Sequence, residues 1–300
     1  MQKRQVVSES VLPFIEDKSI FRFGGTKEER LYLKKMLATL GRTKIGTKFI
    51  TDIAHLIRKK NQHAVFIRLA SPKWNTSGLT DDDLKISITR IDQTQMNQKQ
   101  KRKTFLMQMI TLMHELVHIR QFLLGQDKTE GKFSIPHQAY AYLLSEAEAT
   151  LFERAFEIEL APKQAALMRE MFLWKNEFKR PPNVVKSFFI KKSHPTVVAI
   201  SMDVFLDGIR NNKIKPLPTA LEQRLFEHYI NQRFKGMGVP FKYKDFPLEK
   251  VFWCEQIDDN RYLIKGEKTL LECNGRGRPI AFYGNTASKK ISASTKYNRE

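Results

Sequence analysis

Apolar positions recur at helical spacing over residues 26–40, where Leu31, Leu33, Met36, Leu37 and Leu40 share one side and Gly41 supplies a stop. A second amphipathic stretch, 47–60, carries Phe49, Ile50, Ile53, Leu56 and Ile57 at the same spacing. The period then changes. Residues 63–70 are rich in β-branched and aromatic side chains, and 84–91 (Leu-Lys-Ile-Ser-Ile-Thr-Arg-Ile) alternates, which predicts two strands, the second with one wet face. The turn-rich stretch 71–83 reads as a loop, as does the polar stretch 92–103 with its basic run Lys99, Lys101, Arg102 and Lys103.

Residues 104–124 form the most apolar segment. Phe105, Leu106, Met109, Ile110, Leu112, Met113, Leu116, Val117, Ile119, Phe122 and Leu123 cover nearly all sides, so this predicted helix is central and buried, with Gly125 ending it. A polar connection leads to a second long helix over 137–160, and Pro162 opens a third to about 175. Beyond Pro181-Pro182 the pattern predicts a short apolar run at 184–190 and helices over 195–209 and 219–234. Small β-structure follows at 251–282, with Asp258-Asp259-Asn260 as a hairpin turn. The expected fold is α+β and predominantly helical: an N-terminal extension (1–25), a main domain (26–210), a basic helix-plus-β region (211–283) and a disordered tail (284–300).

Composition narrows the class. The 300 residues are 41% hydrophobic and 28% charged, which excludes a disordered chain, and no stretch approaches the length of a spanning helix. The start carries charges throughout and shows no secretory leader, so the expected compartment is the cytoplasm, with specialised secretion as the alternative. Cys254 and Cys273 are too few for a disulfide framework. The net charge of +20 favours solubility and an anionic partner met through a basic surface.

Within the apolar helix stands His114-Glu115-Leu116-Val117-His118, an HExxH motif. At i and i+4 both imidazoles leave the same helical face one turn apart, where two nitrogens can reach one Zn2+ per chain. Glu115 lies within reach of a metal-bound water and can take its proton as general base. With seven histidines in the chain, a chance match is expected at about the one-per-cent level. A chance match would also not bury two histidines and a glutamate in the most apolar helix. A third ligand is required, and Gln121 stands where a longer HExxHxxGxxH motif has glycine. His137 is a candidate but reads better as a helix cap. The stronger pair is Glu146 and Glu148, in Ser145-Glu146-Ala147-Glu148-Ala149-Thr150. The apolar stripe Tyr140, Leu143, Ala147, Leu151, Ala155 and Ile158 lies nearer Glu148, so periodicity favours Glu148 and both stay open.

The order of motifs resembles that of gluzincin-type zinc metallopeptidases, in particular the family of the CAAX prenyl proteases and bacterial heat-shock membrane proteases. That family runs HExxH, then Glu-x-Glu-Ala-Asp, then Ser/Thr-His-Pro; here stand His114–His118, Glu146-Ala147-Glu148-Ala149-Thr150 and Ser193-His194-Pro195. The resemblance implies Glu146 as third ligand and His194 near the reacting carbonyl, stabilising its tetrahedral adduct. It also implies a second-shell position at Thr150, where the family has aspartate. It further implies a zincin-like core: a backing helix, a small antiparallel or mixed sheet, the HExxH helix and a later glutamate-bearing helix. The family's membrane-spanning helices have no counterpart, so the chain resembles a soluble relative.

The leading expectation is therefore a zinc metallopeptidase acting on a protein or peptide substrate, with a toxin or effector protease as one variant. The alternative is a basic nucleic-acid-binding protein with a structural or vestigial zinc site. Against it, structural zinc shells favour cysteines, which are remote from the histidines, and no nucleic-acid-binding signature is present. For a docking substrate, the strand at 84–91 is the expected pairing partner.

Overall fold

Pro13 in the first turn opens a short helix, α1 (Leu12–Glu16), and β1 (Phe21–Phe23) follows it. In this computed structural model the structure describes residues 11–71, 78–81, 83–125, 135–160, 254–266, 269–276 and 278–284, with isolated positions between 227 and 244. The helices expected beyond 161, apart from positions 227 and 231, the apolar run at 184–190 and the tail after 284 lie outside the described residues, as does His194.

Side-chain caps decide where the next helices begin. A reciprocal capping box between Thr26 and Glu29 starts α2 (Lys27–Leu40), and the Thr43 hydroxyl accepts from the Gly46 amide to start α3 (Lys44–Lys60). Helix α3 thus begins before its first apolar residue pair, ahead of the boundary expected from periodicity. It stops where Asn61 turns left-handed, at φ 49°. Leu33, Met36, Leu37 and Leu40 of α2 are buried, but Leu31 is 59% exposed and does not join their face.

The first sheet is mixed, in the order β1-β2-β4-β3, from β2 (Val65–Ala70), β3 (Gly78–Thr80) and β4 (Lys85–Thr89). β1, β2 and β4 run parallel, and β3 returns antiparallel against β4. The three residues of β3 fall inside the stretch expected to be loop, since Gly-Leu-Thr carries no strand pattern of its own. Leu84, at φ 59°, closes the β3–β4 turn; this left-handed conformation is costly for leucine, and its buried side chain, 6% exposed, offsets the strain. β4 alternates buried and half-buried residues as expected. However, β4 is hydrogen-bonded on both sides, so it has no edge to offer a peptide; β3 ends the sheet among the described strands.

Helix α4 (Gln98–Leu124) starts earlier than its apolar pattern, because Asn97 and Gln100 form a second capping box. The basic run at 99–103 therefore occupies the first turns of α4 and not a loop. Gly125, at φ 75°, ends α4 in the left-handed region that glycine enters without a Cβ penalty. Helix α5 (Ile135–Leu160) follows.

The chain divides into two compact units, residues 1–125 with 149–186 and residues 126–148 with 187–300; α5 belongs to both. In the first, α1–α4, β1, β2 and β4 enclose a core with Phe21, Phe49, Ile53, Ile67, Ile86, Met113 and Leu116. Val11, Ile15, Ile20 and Phe21 join this core, and β1 pairs with β2. The later turns of α5 contribute Ala149, Phe152, Phe156 and Leu160. There Phe152 meets Phe49 edge-on, with ring centroids 4.5 Å apart. Glu159 accepts from the Ile45 amide at 3.3 Å, serving the exposed donors at the start of α3.

The second unit contains an antiparallel meander, β5 (Cys254–Asp258), β6 (Arg261–Lys265), β7 (Thr269–Asn274) and β8 (Pro279–Gly284). Its first hairpin turns through Asp259-Asn260, as the Asp258-Asp259-Asn260 signal predicts. Leu263, Ile264, Leu270, Leu271, Cys273 and Phe282 are buried. The buried Glu272 carboxylate accepts from Arg261 and Tyr283 at 3.3 and 2.9 Å. The molecule thus combines helices with two small sheets. No helix among the described residues is long and apolar enough to cross a membrane.

Candidate metal centre

The HExxH residues lie on a helix buried on nearly every side. Leu112, Met113, Leu116, Val117 and Ile119 are inaccessible, while His114 and Glu115 keep 9% and 6% exposure. Apolar neighbours thus hold the polar residues in place, and burial makes every polar contact among them consequential.

The i, i+4 spacing brings the two rings edge to face, with centroids 4.9 Å apart. His114 Nε2 and His118 Nε2 face each other at 3.1 Å. Each ring is held from behind through its other nitrogen. His114 Nδ1 meets Glu153 Oε2 at 3.3 Å, and His118 Nδ1 meets the side-chain amide oxygen Oε1 of Gln121 at 2.8 Å. Both rear partners offer oxygen acceptors, an arrangement that suits the tautomers protonated at Nδ1, which would leave Nε2 of each ring to ligate. With those tautomers, the two Nε2 atoms are spaced to share one cation.

Glu146 supplies the third donor. One ligand atom each from His114, His118 and Glu146 lies within 4.8 Å of the other two. Tetrahedral Zn2+ holds nitrogens at about 2.05 Å, which sets two of them about 3.3 Å apart. The observed 3.1 Å is close to that value before any adjustment. Two imidazoles and one carboxylate form a set suited to zinc with a fourth position open. The residues present therefore fit a single zinc ion.

The Glu115 carboxylate is held by β3. The Thr80 hydroxyl donates to Glu115 Oε2 at 2.6 Å and to the Glu115 carbonyl oxygen at 3.3 Å. Gly78 faces the same side chain: a Cβ built there would stand 2.7 Å from Glu115 Oε1 and 2.6 Å from the Thr111 methyl.

Among the residues expected from sequence, the structure brings together His114, His118 and Glu146. Glu148, which the apolar stripe favours, is fully buried two residues along α5 and is not in this group. The stripe misleads because α5 is apolar on several sides. Ala139, Leu143, Leu144, Ala149, Phe152 and Phe156 are all buried, so no single face identifies the ligand. Thr150 is half-buried; the contact behind His114 comes instead from Glu153, seven residues after Glu146 and two turns along the same face. The His137 side chain lies outside the described residues.

Sequence reasoning places Glu153 among the acidic residues gathered around the proposed metal without giving it a partner, and assigns no role to Gln121, Thr80 or Gly78. Gln121 was within reach of inference, since i+3 on a helix places it beside His118. Glu153 could be found only by extending the Glu146 face by two turns. Nothing in Gly-Leu-Thr signals a contact with a residue 35 positions away. Comparison with known proteins finds no matching family model, no matching curated protein and no matching solved structure.

Proposed function

We propose that this chain is a zinc-dependent metallopeptidase with a zincin-like core, hydrolysing peptide bonds in a protein or peptide substrate. One observation carries the reading: two histidine Nε2 atoms face each other at 3.1 Å, and both rings are fixed from behind by oxygen acceptors. This arrangement, with Glu146 alongside, suits a cation better than a packed core. Bound zinc supplies Lewis acidity toward a water and the scissile carbonyl. His114 and His118 act as neutral ligands, and Glu146 adds a negative charge that holds the ion. Glu115 takes a proton from water at its carboxylate and returns it to the departing nitrogen. Because β3 ends its sheet among the described strands, its outer edge is where an extended substrate strand would add.

Purified protein should hold one zinc per chain and cleave members of a peptide library. Glu115→Gln should abolish cleavage with zinc content unchanged. Absence of stoichiometric metal, or cleavage that survives Glu115→Gln, would sink the reading. Steeply salt-dependent binding to DNA or RNA without cleavage would favour a nucleic-acid-binding protein instead.

A further inference from the structure

We propose that strand β3 is the positioning element for Glu115: the Thr80 hydroxyl and the bare Cα of Gly78 together hold its carboxylate in the orientation that serves as base. The inference rests on the reading of Glu115 as general base, and it adds two residues that act through it.

Glu115 is 6% exposed, and a buried carboxylate must be held by donors. Among the described residues, Thr80 is the side chain that donates to it. At 2.6 Å the bond is in the short range of a hydroxyl donating to an ionised oxygen. The same hydroxyl also lies 3.3 Å, donor to acceptor, from the Glu115 carbonyl oxygen, the longer arm of a shared contact that sets Thr80 against the helix backbone. With Oε2 occupied in this way, Oε1 lies against Gly78.

Gly78 contributes space. Its φ does not lie in the left-handed region, so glycine is not required there for backbone conformation. What requires it is the Glu115 side chain: an added Cβ would come within 2.7 Å of Oε1 and 3.1 Å of Cγ. A methyl group at 78 must therefore move the carboxylate. Both residues lie on the same face of β3, with Leu79 between them turned to solvent at 45% exposure. Both meet α4 across the same helical ridge, Thr111 and Glu115 being one turn apart. The positioning strand is also one of the two end strands among the described residues, so a substrate strand added there would lie against the element that orients the base.

The test uses the full chain loaded with zinc and acetohydroxamate as probe. Hydroxamates chelate zinc through two oxygens and give a proton to a neighbouring carboxylate, so their affinity reports where Glu115 stands without a known substrate. Affinity is measured calorimetrically, and zinc content by metal analysis, for wild type, Glu115→Gln, Thr80→Val, Thr80→Ser and Gly78→Ala. Zinc content should be equal throughout. Glu115→Gln, Thr80→Val and Gly78→Ala should each weaken binding about tenfold or more, the worth of a hydrogen bond to a charged group. Thr80→Ser keeps the hydroxyl and should stay within about twofold of wild type, which a purely structural role for Thr80 would not require. The double variant Thr80→Val with Glu115→Gln should bind no more weakly than Glu115→Gln alone. If Thr80→Val binds like wild type while Glu115→Gln is weakened, the positioning role is overturned and the base assignment stands. If Glu115→Gln itself binds like wild type, or no zinc is retained, the functional reading fails and this inference fails with it. Should Gly78→Ala not fold, the Thr80 pair decides alone.

Discussion

Removing the carboxylate behind His114 should loosen the metal without removing a ligand. Glu153 Oε2 stands 3.3 Å from His114 Nδ1, with the two side chains only 18% and 11% exposed. A rear acceptor fixes the ring and raises the basicity of Nε2, and losing such a partner typically costs 10- to 100-fold in metal affinity, about 1.4–2.7 kcal/mol. The contact is longer than the roughly 2.7–2.9 Å of a strong charge-assisted bond, which puts Glu153→Ala near the lower end, about tenfold. Glu153→Gln keeps an oxygen acceptor but loses the charge and should fall between Glu153→Ala and wild type. Gln121→Ala removes a shorter contact to the other ring, 2.8 Å from His118 Nδ1, and should cost at least as much. Zinc affinity is read by competition with a fluorescent chelator, alongside thermal unfolding of the metal-free proteins to separate affinity from folding. If Glu153→Ala and Gln121→Ala both bind zinc within about twofold of wild type, the rear contacts do not orient these rings, and the cation-site reasoning collapses.

Two further outcomes test the packing on which the site depends. Phe152→Ala removes a side chain 2% exposed against Phe49 and should cost about 3–5 kcal/mol in urea unfolding. A loss below about 1 kcal/mol would mean that the later turns of α5 are not part of the first core. Burial pushes the Cys273 thiol well above its ordinary range, while the half-buried Cys254 is raised by the same cause. A disulfide reagent at neutral pH should therefore leave Cys273 unmodified until denaturant is added; rapid labelling of Cys273 in native protein would contradict the burial of β7.

How much could be read without coordinates varies by element, for definite reasons. The α4 pattern is legible because a helix apolar on all sides can only be central, and HExxH spacing follows from 3.6 residues per turn. β4 is legible as a strand from its alternation, yet its place inside the sheet is not. Whether a strand has an edge depends on its neighbours, and β3 is too short to betray itself. Glu146 and Glu148 show the same limit from the other side. On a helix buried around most of its circumference, hydrophobic periodicity no longer points in one direction, and the resemblance to gluzincins was the only sequence signal for Glu146.

By itself the sequence determined the local geometry: two imidazoles one turn apart, a glutamate between them, and helix starts written in Thr26, Thr43 and Asn97. These depend on residues within a turn of each other, whose separation the backbone dictates. The tertiary structure alone decided what stands behind the His114 ring and what holds Glu115. The partners are Glu153, 39 positions from His114, and Thr80, 35 positions from Glu115. Such contacts are formed when elements pack, and no periodicity along the chain encodes them.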